Sequence, residues 1–342
     1  MKKITIVVPC YNEQEVLPAL HERLQQVIDS LAESYRFEIL LVNDGSKDQT
    51  LSVIKKIAKT DRRISYLDLS RNFGKELAML AGLDHADGDA VILMDADLQH
   101  PPEMIPVMLE YWQAGYDDVY TKRRNRMNEG FFKRHITEAF YDFLKKVSKV
   151  DVPKNVGDFR LLDRRCVAAL QLLRESQRYT KGLFNWIGYR KKEILFDCQP
   201  RAAGETKWNS VALINLAVEG ITSFTTFPLK IATIFGFLIS FISLFYMGFV
   251  IVNTLLFGEA VQGYPTLLST ILFLGGIQLI FLGVIGEYVG RIFNEGKNRP
   301  LYLVNEYNDQ KVMYRGICDR PQEEILQQEE ERYDEKTDCK CR

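Results

Sequence analysis

From Ile231 to Gly286 the chain carries a single charged residue, Glu259. Ile231–Leu256 supplies 26 uncharged residues and Thr266–Gly286 another 21. At about 1.5 Å of rise per residue, a helix over either run can cross a hydrocarbon core of roughly 30 Å. The residues between them, Phe257–Pro265, suit a tight turn outside the bilayer. Two transmembrane helices are therefore expected, at about 231–256 and 266–288, in a hairpin region spanning 226–292. A buried helical hairpin in a soluble protein is the competing explanation, and two such runs in succession fit it poorly. Lys230 precedes the first run, and Arg291, Lys297 and Arg299 follow the second, while the intervening loop has no Lys or Arg. This asymmetry places both chain ends in the cytosol, on a multi-pass protein of the cell membrane.

Everything before the hairpin has the composition of a soluble domain. The first ~225 residues suffice for one α/β domain with a full core. The net charge of −1 implies no general attraction to nucleic acid. Cys339-x-Cys341 lies in an acidic tail without histidines, which argues against a zinc site. The apolar run Ile4–Val8 is too short for a signal peptide and ends at Tyr11-Asn12-Glu13, so residues 1–225 are expected to stay in the cytosol.

Within that domain, short apolar runs alternate with stretches of helical periodicity. Strands are expected at Ile4–Val8, Phe37–Val42, Ile64–Leu69 and Ala90–Met94. Helices are expected at Glu13–Ala32, Gln49–Ala58, Glu76–His85 and about Pro102–Ala114. This alternation predicts a parallel sheet flanked by helices on both faces, with ligands gathered at the carboxyl ends of its strands. Four polar clusters fall there: Pro9–Glu13, Asn43–Ser46, Ser70–Gly74 and Asp95-Ala96-Asp97. Glu129–Val150 is amphipathic and either lies in the headgroup region or packs on the domain; residues 209–222 form a second such candidate. Residues 293–342 are expected to form a cytosolic segment ending in a mobile acidic tail.

Asp95-Ala96-Asp97 is the sharpest chemical signal. Two carboxylates at a strand end suit a hard divalent cation, Mg²⁺ or Mn²⁺, that bridges phosphate oxygens. His100 either joins them as a ligand or caps the next helix. Asp44, before Gly45-Ser46, either bonds a base or ribose hydroxyl or serves a turn and helix cap. Arg71 and Lys75 flank the Asn72-Phe73-Gly74 turn and face phosphate or solvent. Asp158 and Arg160, in Gly157-Asp158-Phe159-Arg160, either pair with each other or face a phosphate. Lys207-Trp208 suits the membrane interface by composition alone.

At these residues the chain resembles the polyprenyl-phosphate glycosyltransferases, the membrane-bound branch of glycosyltransferase family 2. The resemblance rests on Val7-Val8-Pro9-Cys10-Tyr11-Asn12-Glu13, Val42–Asp48, Ser70–Glu76, Met94–Pro102, Gly157–Leu161, Ala203–Trp208 and Gly286–Arg291, in family order. It implies an α/β domain of GT-A fold, with a Rossmann-like parallel or mixed sheet, followed by the two-helix transmembrane hairpin. It implies a nucleotide-sugar donor and a polyprenyl phosphate acceptor in the membrane. Pro9, Tyr11, Glu13, Asp44, Ser46, Lys75, Asp95 and Gln99 are then expected at the nucleotide sugar. Asp95 and Asp97 are expected at the Mg²⁺ or Mn²⁺, with Asp158 as the catalytic acid residue. Arg123, Arg124, Arg160 and Lys207 are expected at acceptor or donor phosphates. A homo-oligomer, a tetramer in relatives, is also implied. The expected reaction is an inverting transfer of a hexose or N-acetylhexosamine to undecaprenyl phosphate, feeding cell-envelope glycans. A processive polysaccharide synthase is disfavoured by two spans and by the lack of a Gln-x-x-Arg-Trp segment. A non-catalytic membrane scaffold is disfavoured by the intact Asp95, Asp97 and Asp158.

Overall fold

The computed structural model describes residues 1–123, 156–176, 178–196 and 263–312, with scattered positions between 229 and 256. Strands β1 (Lys2–Cys10), β2 (Tyr35–Asn43), β3 (Ile64–Leu69) and β4 (Ala90–Leu93) form where apolar runs end in polar turns. Helices α1 (Leu17–Leu31), α2 (Thr50–Thr60) and α3 (Lys75–His85) separate them, and a 3-10 turn at Pro102–Met104 leads into α4 (Ile105–Gln113). Helix α1 starts later than Glu13 because Val16 and Leu17 both donate their N–H groups to the Glu13 carbonyl, closing a turn first. The strands lie in the order β4-β1-β2-β3, all parallel, as helical crossovers require.

Beyond β4 the sheet becomes mixed. Strand β6 (Val156–Asp163) runs antiparallel between β4 and β5 (Asp118–Arg123), and β7 (Lys191–Phe196) pairs parallel with β5. Helices α5 (Arg164–Leu172) and α6 (Thr180–Trp186) follow β6. Asp163 caps α5 by accepting the Arg165 N–H at 2.9 Å. Leu93 pairs with Arg160 and Ile92 with Leu161. Continuing that register by two residues brings Asp158 level with Asp95.

The alternation of the strands divides the core into two layers. Ile4, Ile6, Val8, Ile39, Leu41, Ile92, Phe159 and Leu161 face one side with α1 and α4. Val7, Leu40, Val42, Val91, Leu93 and Leu162 face the other, against α3, α5 and α6. Covering both faces is what lets the central strands be apolar throughout.

Helix α7 (Tyr264–Gly296) has 33 residues, about 50 Å at the α-helical rise. Its part Phe273–Gly296 is long and apolar enough to cross a membrane, and none of that window is buried against the domain. Leu279, Ile280 and Leu282 are all more than 60 % exposed. The helix covers the whole of the expected 266–288. Of the first expected span, the described positions are helical, and Phe241, Phe245 and Phe249 among them are exposed. The expected interface helices at 129–150 and 209–222, and residues 313–342, lie outside the described residues.

Residues 304–311, within the segment expected at 293–342, join the sheet. Strand β8 (Val304–Tyr307) adds antiparallel to β3, and β9 (Gln310–Lys311) pairs with β8. The described sheet has the order β7-β5-β6-β4-β1-β2-β3-β8-β9. The β8–β9 turn, Asn308-Asp309, takes positive φ at both residues (46° and 62°), the geometry of a tight hairpin. Glu306 accepts from Lys55 Nζ at 2.7 Å and from the Tyr66 hydroxyl at 2.5 Å. Asn305 Nδ2 donates to Asp68 at 2.8 Å, and Ser70 N donates to the Leu303 carbonyl at 2.9 Å. The chain therefore leaves its apolar helix and re-enters the sheet beside β3.

Candidate active site

The loops after β1, β2, β3 and β4 meet at one edge of the sheet, as parallel strands dictate. Pro9 is the penultimate residue of β1, and Tyr11 and Glu13 follow it, half-buried. Asn12, at φ 56°, knits this loop to the next. Its N–H donates to Ser46 Oγ at 3.0 Å, and its Oδ1 accepts from Lys47 N at 2.9 Å. Glu13 N donates to Thr50 Oγ1 at 2.8 Å. Pro9, Tyr11, Glu13 and Ser46 are thus brought together on one rim.

Asp44 is buried, and its carboxylate accepts from two backbone groups, Phe73 N at 2.7 Å and Gly74 N at 2.9 Å. Burial raises its pKa despite these bonds and the nearby Arg71. Asp44 therefore orders the turn that presents Lys75. Gly45 is required beside it, at φ +61°: a Cβ there would lie 2.4 Å from the Arg71 carbonyl carbon. Gly45→Ala is expected to displace the 70–74 turn and destabilise the fold by about 1–3 kcal/mol, through strain at a positive φ and the backbone clash. Thermal unfolding and nucleotide binding should both report the loss.

Asp95 and Asp97 follow β4. Together with His100 they offer ligand atoms that all lie within 4.8 Å of one another. Gln99 N donates to Asp97 Oδ1 at 3.1 Å, with Leu98 at φ 56°, so the loop turns back and both aspartates share one side. His100 is buried, its ring centroid 5.4 Å from Phe159 and 5.5 Å from Phe196. Its Nδ1 lies 3.9 Å from Asp95 Oδ2. Gly157 makes room for this ring, since a Cβ there would lie 2.8 Å from Nε2. Two carboxylates and an imidazole are a donor set that fits a divalent cation.

Lys75, the first residue of α3, joins this cluster to β6. Its ammonium lies 2.6 Å from Asp95 Oδ1 and 2.5 Å from Asp158 Oδ2. The side chain is 45 % exposed, and its ammonium lies between the two carboxylates. Desolvation opposes the Lys75 charge, but Asp95 and Asp158 outweigh it and its pKa rises. Asp158 is buried as well, and burial would raise its pKa. Lys75, Lys181 and Arg160 reverse that and hold it well below the usual carboxylate range. A buried, firmly ionised carboxylate thus faces the cation cluster across one lysine.

Arg160, expected at a phosphate, has other partners in the structure. It is buried, pairs with Asp118 at 3.2 Å, and stacks its guanidinium 3.5 Å above the Phe184 ring. Two residues along a strand from Asp158, it points to the same face of the sheet but lies deeper beneath α6. Arg123 ends β5 with its side chain outside the described residues, and Arg124 and Lys207 lie wholly outside them. Sequence reasoning missed the Lys75–Asp158 contact and the proximity of Lys181, half-buried in the first turn of α6. Neither has a local signature, since both depend on the antiparallel placement of β6.

Comparisons with known proteins show the family. The family model described as glycosyl transferase family 2 matches residues 5–170, and that described as GtrB C-terminal hairpin matches residues 227–292. The uncharacterized glycosyltransferase sll0501 of Synechocystis sp. is 49 % identical over 304 residues, 89 % of this chain and 95 % of that protein. The SfII prophage-derived bactoprenol glucosyl transferase of Shigella flexneri is 47 % identical over 304 residues, covering 89 % and 98 % of the two chains. The putative glycosyltransferase CsbB of Bacillus subtilis is 43 % identical, covering 89 % and 92 %. With a family 2 domain, a GtrB-type hairpin and near full-length likeness to bactoprenol glucosyl transferases, the chain belongs to the polyprenyl-phosphate glycosyltransferases of family 2.

Proposed function

We propose that this protein transfers a hexose or N-acetylhexosamine from a nucleotide sugar, UDP-glucose or a UDP-N-acetylhexosamine, to undecaprenyl phosphate at the cytosolic leaflet. The observation that carries this is the cluster Asp95, Asp97, His100, Lys75 and Asp158 at the carboxyl edge of the sheet, in a chain that also carries an unburied apolar helix. Glucose is the favoured sugar because the Shigella relatives are named for its transfer.

The bond between the anomeric carbon and the donor diphosphate breaks, its electron pair leaving with the nucleoside diphosphate. A phosphate oxygen of the acceptor forms the new bond from the opposite side, which gives a β-linked product from an α-linked donor. Asp95, Asp97 and His100 would hold a Mg²⁺ or Mn²⁺ ion, which when bound neutralises charge on the leaving diphosphate. The acceptor is a phosphate monoester with a second pKa of about 6, so it is anionic near neutral pH and needs no strong base. Asp158, held ionised by cations, is a weak proton acceptor. Its role is to orient Lys75 and the cations that receive the acceptor phosphate. Pro9, Tyr11, Glu13 and Ser46 form the rim for the nucleoside, and Asp44 acts through the 70–74 turn.

Full-length protein in detergent, given radiolabelled UDP-glucose, undecaprenyl phosphate and Mn²⁺, should yield label in extractable lipid, with a β linkage by NMR. Absence of lipid product across a panel of donors, prenyl phosphates and metals rules this function out. An Asp158→Asn variant with near-normal turnover would remove any essential role for that carboxylate.

A further inference from the structure

Lys75 occupies an unusual place for a lysine in a cation-dependent site. Its ammonium contacts Asp95, one of the three clustered ligands, and Asp158 at once. We infer that Lys75 is a built-in counter-ion that holds down the affinity of the Asp95–Asp97–His100 cluster for a divalent cation in the donor-free protein. Resting on the proposed role of those three residues, this deepens it: the site is designed to refuse a cation that arrives alone.

The physical basis is competition and repulsion at one carboxylate. Asp95 gives Oδ1 to Lys75 while Oδ2 lies on the His100 side. A divalent ion entering the cluster meets a monovalent charge already fixed within 2.6 Å of one of its ligand groups. Each contact with Asp95 is therefore worth less than at a bare carboxylate. Lys75 is also held in place from its other side by Asp158 and by the start of α3, which Asp44 anchors through Phe73 and Gly74. A donor diphosphate brings its own negative charge, which offsets this repulsion. Cation and nucleotide sugar then enter together, and the free metal does not occupy the cleft ahead of the donor.

The test is Mn²⁺ titration of full-length protein in detergent without nucleotide, with free Mn²⁺ read by electron paramagnetic resonance. Lys75→Met keeps the length of the stem and removes the charge. It should bind Mn²⁺ about tenfold or more tightly than the unaltered protein, while Lys75→Arg, which keeps the charge, stays within about threefold of it. Asp97→Asn marks the site, since it should abolish the tight binding in a Lys75→Met background. Equal or weaker Mn²⁺ binding by a folded Lys75→Met protein overturns the inference and leaves the transferase assignment standing if Asp97→Asn still removes binding. Failure of both unaltered and Lys75→Met proteins to bind Mn²⁺ overturns the inference and the proposed cation site together. Unchanged circular dichroism and melting temperature separate a charge effect from misfolding.

Discussion

Asp97→Asn lowers sugar transfer to lipid by about a thousandfold, the scale expected when charge stabilisation worth about 4 kcal/mol is withdrawn from a transition state. Asp97 sits on the turn closed by its own bond to Gln99 N, so the amide can keep that bond and preserve the loop. What disappears is one of the two carboxylates beside His100. On the proposed function, in which Asp158 and its cations meet the acceptor, the deficit should appear in kcat more than in KM for the lipid. Raising Mn²⁺ should recover part of the activity and leave the rest lost. Steady-state kinetics with radiolabelled donor at several Mn²⁺ concentrations check this. Retention of more than about a tenth of the activity would contradict the cation assignment.

Asp118→Ala is the second large effect, and it concerns stability. Asp118 is fully buried and Arg160 nearly so, with 3.2 Å between them. Removing one partner leaves a buried guanidinium opposite a void, which costs about 3–5 kcal/mol. Burial raises the Asp118 pKa even against the charges of Arg160 and Lys191, so desolvation outweighs attraction in this pair. The converse experiment is therefore informative. Asp118→Leu combined with Arg160→Met should recover most of the lost stability, because neither residue then carries a charge out of water. Urea unfolding in detergent, followed by circular dichroism, measures both. A double variant no more stable than Asp118→Ala would assign the pair a larger role than burial and packing supply.

The parallel half of the sheet was legible because its signals are local. Ile4–Val8, Phe37–Val42 and Ala90–Met94 are apolar runs closed by polar turns, and each strand forms within two residues of those bounds. The Asp95–Asp97 pair was legible for the same reason: its chemistry and its strand-end position sit within three residues. Strands β5 to β7 were not, since β6 enters between β4 and β5 only through long-range pairing. That placement decides the fates of Asp158 and Arg160. One parity of a single strand sends Asp158 to Lys75 and Arg160 under α6, and no local pattern tells the two apart. The β8–β9 hairpin had a faint signature in Asn308-Asp309, a dipeptide that accepts positive φ, but two- and four-residue strands offer no periodicity.

The return of the chain to β3 after its apolar helix has a mechanical meaning. Seven residues, 297–303, span from the end of α7 to the first residue of β8, and bonds from Asn305 and Glu306 rivet the far end. So short a strut gives the cleft little freedom to rise or dip on its stalk. On the proposed function, the distance between bilayer surface and sugar-transfer chemistry is then a property of the fold, and the phosphate end of the carrier travels to the height that the strut sets.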